Sequence, residues 1–170
     1  FVAALSTALS GTEFGVDFNP VVDRFRIVSN TGQNLRVNPV NGAAIVDGVL
    51  NPGTPAVSAA AYGNNFNGAA TTTLFVIDTT TDTLNTQNPP NNGTLVPIGP
   101  LGVDAGAVNG FDFTSETNTT FAALTVSGVT RLFNISITSG AASLIGSIGA
   151  GATAYRGLAA DTGSNVGNRL

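Results

Sequence analysis

One short pattern returns along the chain at intervals that only a repeat architecture explains. Gly15-Val16-Asp17-Phe18 recurs as Gly110-Phe111-Asp112-Phe113. Ala59-Ala60-Ala61-Tyr62 and Gly157-Leu158-Ala159-Ala160 are weaker copies. With Phe18, Tyr62, Phe113 and Ala160 taken as equivalent, the spacings are 44, 51 and 47 residues. A second correspondence keeps step with the first. The run from Leu35 to Ala44 resembles the run from Leu132 to Ala142, and the turns Asn41-Gly42 and Ser139-Gly140 supply the positive-φ residue a hairpin needs. A period of 40–50 residues marks supersecondary units that bury their apolar faces only by stacking on neighbours.

The units are built of strands. Arg24-Phe25-Arg26-Ile27-Val28 and Asn34-Leu35-Arg36-Val37-Asn38 alternate with period two, and Thr72-Thr73-Leu74-Phe75-Val76-Ile77 is β-branched and aromatic. Gly, Pro, Asn and Asp punctuate such runs at the spacing of an all-β fold. Ala56 to Ala61 has helical composition but is too short to form a stable helix alone. Four strands per repeat define a propeller blade. The expected fold is therefore all-β: three four-stranded, propeller-blade-like repeats over about 12–56, 57–107 and 108–154, the middle one merging its strands. Residues 1–11 and 155–161 add spare strands at the ends of a single repeat domain spanning 1–170. The alternative is a β-sandwich. Three blades are too few to close a ring, so the terminal strands need partners.

Composition excludes several chemistries. Charged residues make up 9% of the 170, about a third of the usual share, and Lys, His, Cys, Met and Trp are absent. Disulfides, thiolate or imidazole metal sites and Cys–His or Ser–His catalytic pairs are thereby ruled out. A net charge of -4 is wrong for a nucleic-acid binder. No run of 18 apolar residues suggests a transmembrane helix. The chain starts on Phe, and a leader or upstream region is expected to lie outside it. Thr, Asn, Ser and Gly in place of charge point to a secreted or cell-surface protein.

Asp17-Phe18-Asn19-Pro20-Val21-Val22-Asp23-Arg24 is the densest polar cluster. Its hard oxygen donors suit Ca²⁺ or a sugar. The structural reading is preferred: Asp17 and Asn19 fix a turn, while Asp23 pairs with Arg24, Arg26 or Arg36. Asp78 and Asp82 flank three threonines without the Gly and Glu of a calcium loop, and read as a hairpin turn. No two of the ten acids are paired by spacing, and the Gly-rich run at 146–151 lacks the Lys of a phosphate loop. No catalytic residue, cofactor or metal ligand is expected, and the chain does not read as an enzyme. Asn92, Asn118 and Asn134 head formal glycosylation sequons.

Gly15 to Ser29, Gln33-Asn34-Leu35-Arg36, Val46-Asp47-Gly48, Ala60-Ala61-Tyr62, Asn88 to Leu95 and Gly99-Pro100-Leu101-Gly102-Val103 occur in order. Together they resemble a bacterial family known only as domain of unknown function 4394, from about Leu9 to Ala160. The resemblance implies a secreted or surface protein with propeller-type repeats. It transfers no catalytic residue, since the family has none assigned. Family members usually carry further repeats upstream of the position matched by Leu9.

The functional expectation is an extracellular structural protein, a self-assembling subunit of a surface fibre or matrix. Low charge leaves like molecules free to meet, and an unpaired strand is a template for another chain. The candidate inter-subunit strands carry Phe1, Val2, Leu5 and Leu9 at one end and Tyr155 and Leu158 at the other. The expected partners are other copies of the chain, with glycan attachment or binding also in view. The alternative is a secreted propeller-like module that binds carbohydrate or calcium.

Overall fold

The computed structural model describes residues 3–115 and 117–160. It is all-β. Blade 1 comprises β1 (Phe14–Asn19), β2 (Arg24–Ser29), β3 (Asn34–Val37) and β4 (Ala44–Val46). Blade 2 comprises β5 (Val57–Gly63), β6 (Thr73–Asp78), β7 (Thr83–Gln87) and β8 (Leu95–Pro100), with one 3₁₀ turn at Pro90–Asn92. Blade 3 comprises β9 (Ala105–Phe113), β10 (Thr120–Val126), β11 (Val129–Ile135) and β12 (Ala142–Ser147). Each blade is a four-stranded antiparallel meander in chain order. Three separate sheets leave no place for the β-sandwich alternative. The middle blade keeps four distinct strands rather than merging them. Blade 3 begins three residues before the boundary expected at 108.

Successive blades pack face to face through their first strands. Alternation puts Phe14, Val16 and Phe18 on one face of β1, and Gly15 and Asp17 on the other. In β5, Ala60 and Tyr62 join Val28 and Leu50 of blade 1 in one apolar cluster. The alternate residues Ala59 and Ala61 join Phe111 and Phe113 of blade 3 in the largest cluster. β5 is thus buried on both faces along its whole length. Small alanines are required there because two sheets converge on one strand, and this tertiary demand overrides their helical propensity.

Glycine marks the closest approaches. A Cβ on Gly15 would lie 2.5 Å from the amide nitrogen of Ala60, and one on Gly110 would lie 2.5 Å from the carbonyl carbon of Gly157. The two positions are one repeat position, each laid against the first strand of the unit that follows. Gly42, Gly93 and Gly140 are a second set, all at positive φ in hairpins. A Cβ added at each would run into the backbone of Ala4, of Gly48 and Val49, and of Gly99 respectively.

These contacts place the chain ends. Residues 3–11 form no strand. They lie on blade 1 as residues 48–51 lie on blade 2: Ser6 N–H donates to Gly42 O, Ala44 N–H donates to Ser6 Oγ, and Gln33 Nε2 donates to Ala8 O. Residues 155–160 form no strand either. They occupy the first-strand position of a next unit beside β9. The spare strands expected at 1–11 and 155–161 are thus not formed among the described residues, which lie against blade 1 and beside β9 without making ladders. Phe1, Val2 and residue 161 lie outside the described residues. Leu5 and Leu9 are partly exposed against their own blade 1, as is Tyr155 in the segment beside blade 3.

Candidate functional site

The most developed polar cluster sits at the seam of blades 1 and 2. On the face of blade 1 turned towards blade 2, Arg26 of β2 stands directly opposite Arg36 of β3. Like charges so placed repel. Asp47, just past β4, bridges them. Its Oδ2 accepts from Arg26 Nη1 and Arg36 Nε, both at 2.7 Å, and its Oδ1 accepts from Arg36 Nη2 at 2.8 Å. The hydrogen bonds to Arg36 and Arg26 outweigh burial and hold the Asp47 carboxyl below its usual range, and the same pair raises Arg36.

Arg26 is almost fully buried. Its remaining donors reach Asn34 Oδ1 at 2.7 Å, Asn91 Oδ1 at 2.8 Å and, more weakly, Tyr62 Oη at 3.4 Å. One guanidinium thus ties three strands of blade 1 to the first strand and the β7–β8 turn of blade 2. The planar fork of Arg, not the point charge of Lys, allows this. Over the cluster lies a cleft of about 380 Å³, lined by Asn19, Val22, Arg24, Arg36, Ile45 and Asn91 among others. It shares Asn19 and Pro90 with an adjoining hollow of about 270 Å³ that carries Thr72, Thr86 and Asn88.

A second arrangement follows the first strands. Asp17 accepts from Tyr62 N–H of the next unit and from its own Phe18 N–H. Asp112 repeats both contacts, with Ala160 N–H and Phe113 N–H at 2.7 Å. Burial raises both carboxyls, Asp17 to about 6, against the pull of those N–H groups; the Asp112 charge adds to the rise at Asp17. β1, β5, β9 and residues 156–158 together line one central cavity of about 100 Å³. At its rim Arg156 forms a two-pronged pair with the buried Glu13, at 3.0 and 3.1 Å.

The sequence-derived cluster divides accordingly. Asn19 fixes the β1–β2 turn, its Oδ1 accepting from Val21 and Val22 N–H, as expected. Asp17 instead joins two blades. Asp23 is not the arginines' partner: only its main-chain carbonyl meets Arg24 Nη1, and Asp47 holds the ion pairs. Asp78 caps its own turn by accepting from Thr80 N–H and Thr81 Oγ1, while Asp82 Oδ1 accepts from Ala105 N–H. Among the described residues no three acidic side chains gather as a metal site. No described helix is long and apolar enough to cross a membrane.

The sequons differ in availability. Asn134 Nδ2 donates to Thr120 O and Thr120 Oγ1. Asn118 Oδ1 accepts from Asn64 N–H. Asn92 is exposed on the 3₁₀ turn. The sequence reading misses Asp47, Asn91 and Tyr62 as partners of Arg26, because they arrive from a hairpin edge and from the next repeat. Its one available signal is the adjacency of two arginines across a hairpin, which demands an acid nearby.

Fold and seam together define a β-repeat protein of three blade-like sheets, stitched through their first strands and through hairpin turns. The chain belongs to the family described as a domain of unknown function, DUF4394, whose model matches residues 1–159. No curated protein and no solved structure matches it.

Proposed function

We propose that this chain is an extracellular structural subunit that assembles with copies of itself by pairing strands at blade edges. The supporting observation is the state of the outermost strands. Natural sheets protect an edge with charge or proline. β8 carries Pro97 and Pro100. β4 and β12 carry no proline and no charged residue. β12 instead presents Leu144 and Ile145 at 61% and 52% exposure, and β4 presents Ile45 and Val46 at 53% and 64%. An edge of β12 laid on β4 of another copy is a head-to-tail contact, which propagates as a filament wherever its rotation does not close a ring.

This route differs from the one expected from the termini, since residues 3–11 are engaged by their own blade. The low charge and the Thr, Asn and Gly surface support an extracellular setting. The reading is tested by light scattering and electron microscopy of the purified chain. Filaments that grow with concentration are expected, and Leu144→Lys/Ile145→Lys abolishes them while leaving the β circular-dichroism spectrum unchanged. A monomer at every concentration, or filaments indifferent to both lysines, overturns it.

A further inference from the structure

We propose that the cleft over the blade 1–blade 2 seam binds a carboxylated saccharide, with Arg24 and Arg36 gripping its carboxylate. Ile45 belongs both to this cleft and to the β4 edge, so the proposal is tested on dilute, unassembled chain. The chain has six positive charges and a net charge of -4, yet three of its six arginines, Arg24, Arg26 and Arg36, line this one cleft.

Hydrogen-bond accounting gives the ligand's sign. The side-chain acceptors among the lining residues, and the groups that hold its arginines, are engaged within the protein. Asp47 holds Arg26 and Arg36, Asn91 Oδ1 holds Arg26, Asn19 Oδ1 holds Val21 and Val22 N–H, and Asp23 O holds Arg24. The donors are left over. Arg36 keeps Nη1, Arg24 keeps Nε and Nη2, and the Asn19 and Asn91 amides keep their Nδ2 groups, with no protein acceptor among the described residues. Lining side chains that offer free donors and no free acceptor call for a group that only accepts, and an arginine fork matches a carboxylate. Buried Arg26 and Asp47 fix Arg36 in place, so its free edge is held ready rather than ordered on binding.

The rest of the hollow favours a sugar over an acidic peptide. Exposed Val22 and Ile45 offer apolar wall to the C–H face of a ring. Beyond Asn19 and Pro90 the adjoining hollow presents the Thr72 and Thr86 hydroxyls, whose protons go to Gly63 O and Val96 O and whose lone pairs stay free to accept from ring hydroxyls, and the Asn88 amide, which both donates and accepts. On its floor the buried Gln87 has an Oε1 with no partner.

The test is calorimetry of the whole chain with trigalacturonate, a neutral trisaccharide of the same length, and triglutamate. Binding of trigalacturonate alone is expected. Arg24→Gln should weaken it about tenfold, and this variant should fold normally, since Arg24 makes a single bond to its own neighbour's carbonyl. Arg36→Gln should abolish it, with circular dichroism confirming the fold. No heat with trigalacturonate overturns the proposal. So does equal affinity for triglutamate, which makes the cleft a general anion or peptide site, or binding that Arg24→Gln leaves unchanged.

Discussion

Asp17 and Asp112 show what a repeated residue does when its surroundings repeat as well. Each carboxylate receives two main-chain N–H groups, one of them from the following unit, and each is desolvated by the blades it joins. Burial dominates, so Asp17 titrates near 6 in the folded chain against 3.8 in the open one. Between those values the folded chain retains a proton that the unfolded chain has released. Stability therefore falls as pH rises from about 4 to about 6, by up to about 3 kcal/mol for Asp17, and Asp112 acts in the same direction. Asp47 acts oppositely: its contribution is present above the ordinary carboxylate pKa and is lost as pH falls through its lowered value. Urea midpoints across pH 3 to 8 should peak near 4, and Asp17→Asn should flatten the decline above it. A midpoint that rises from pH 4 to 7 contradicts this. The recurrence of Asp17 and Asp112 is plain in the sequence and suggests a scaffold role. Their partners are not, because Tyr62 and Ala160 lie 45 and 48 residues away and are brought near only by blade stacking.

Elements were legible where alternation and turn chemistry agree. β2, β3 and β6 alternate or carry β-branched runs, and Gly42 and Gly140 sit in the hairpins their residues call for. β5 was harder, since Ala59-Ala60-Ala61 carries no alternation; the strand exists because both neighbouring sheets need a thin element between them. The end segments were legible in place but not in form: 155–160 lies where a first strand belongs, yet has β9 on one side only. Gly15 and Gly110 separate these cases experimentally. An added Cβ meets backbone at both positions. At Gly110 the obstructing chain is the exposed segment at 157–158, which can move away. At Gly15 it is β5, fixed between two cores. Gly110→Ala should free residues 156–160, seen as faster amide exchange there with the blades' protection unchanged. Gly15→Ala should destabilise the whole chain by at least about 1–3 kcal/mol in urea, the usual cost of overpacking. Equal effects of the two substitutions would mean that the terminal segment is as rigidly held as β5.

At the scale of the molecule the three blades are unequal, although their repeats are similar. Blade 2 shares one core cluster with blade 1 and the largest with blade 3. Blade 1 has, on its far side, only the small cluster of Ile27, Leu35 and Val37, and the apolar row across its strands ends in Val16 and Val46, both more than half exposed. In a stack whose stability sums neighbour by neighbour, the middle unit sets the cooperativity and the outer units fray. Two leucines with no exposed surface test this. Leu84 lies in the cluster shared by blades 2 and 3, and Leu35 in blade 1's own. Truncating either to Ala costs about 2–5 kcal/mol locally. Leu84→Ala should lower one common transition, because both shared clusters are built on the strands of blade 2. Leu35→Ala should split it, with amides of β2 and β3 exchanging early while β6 and β10 keep wild-type protection. The split follows from topology rather than from the size of the lost side chain, which is the same at both sites. A single shifted transition in both variants would show instead that the shared cluster and the Arg26 stitch together couple blade 1 to blade 2 as firmly as the larger cluster couples blade 2 to blade 3.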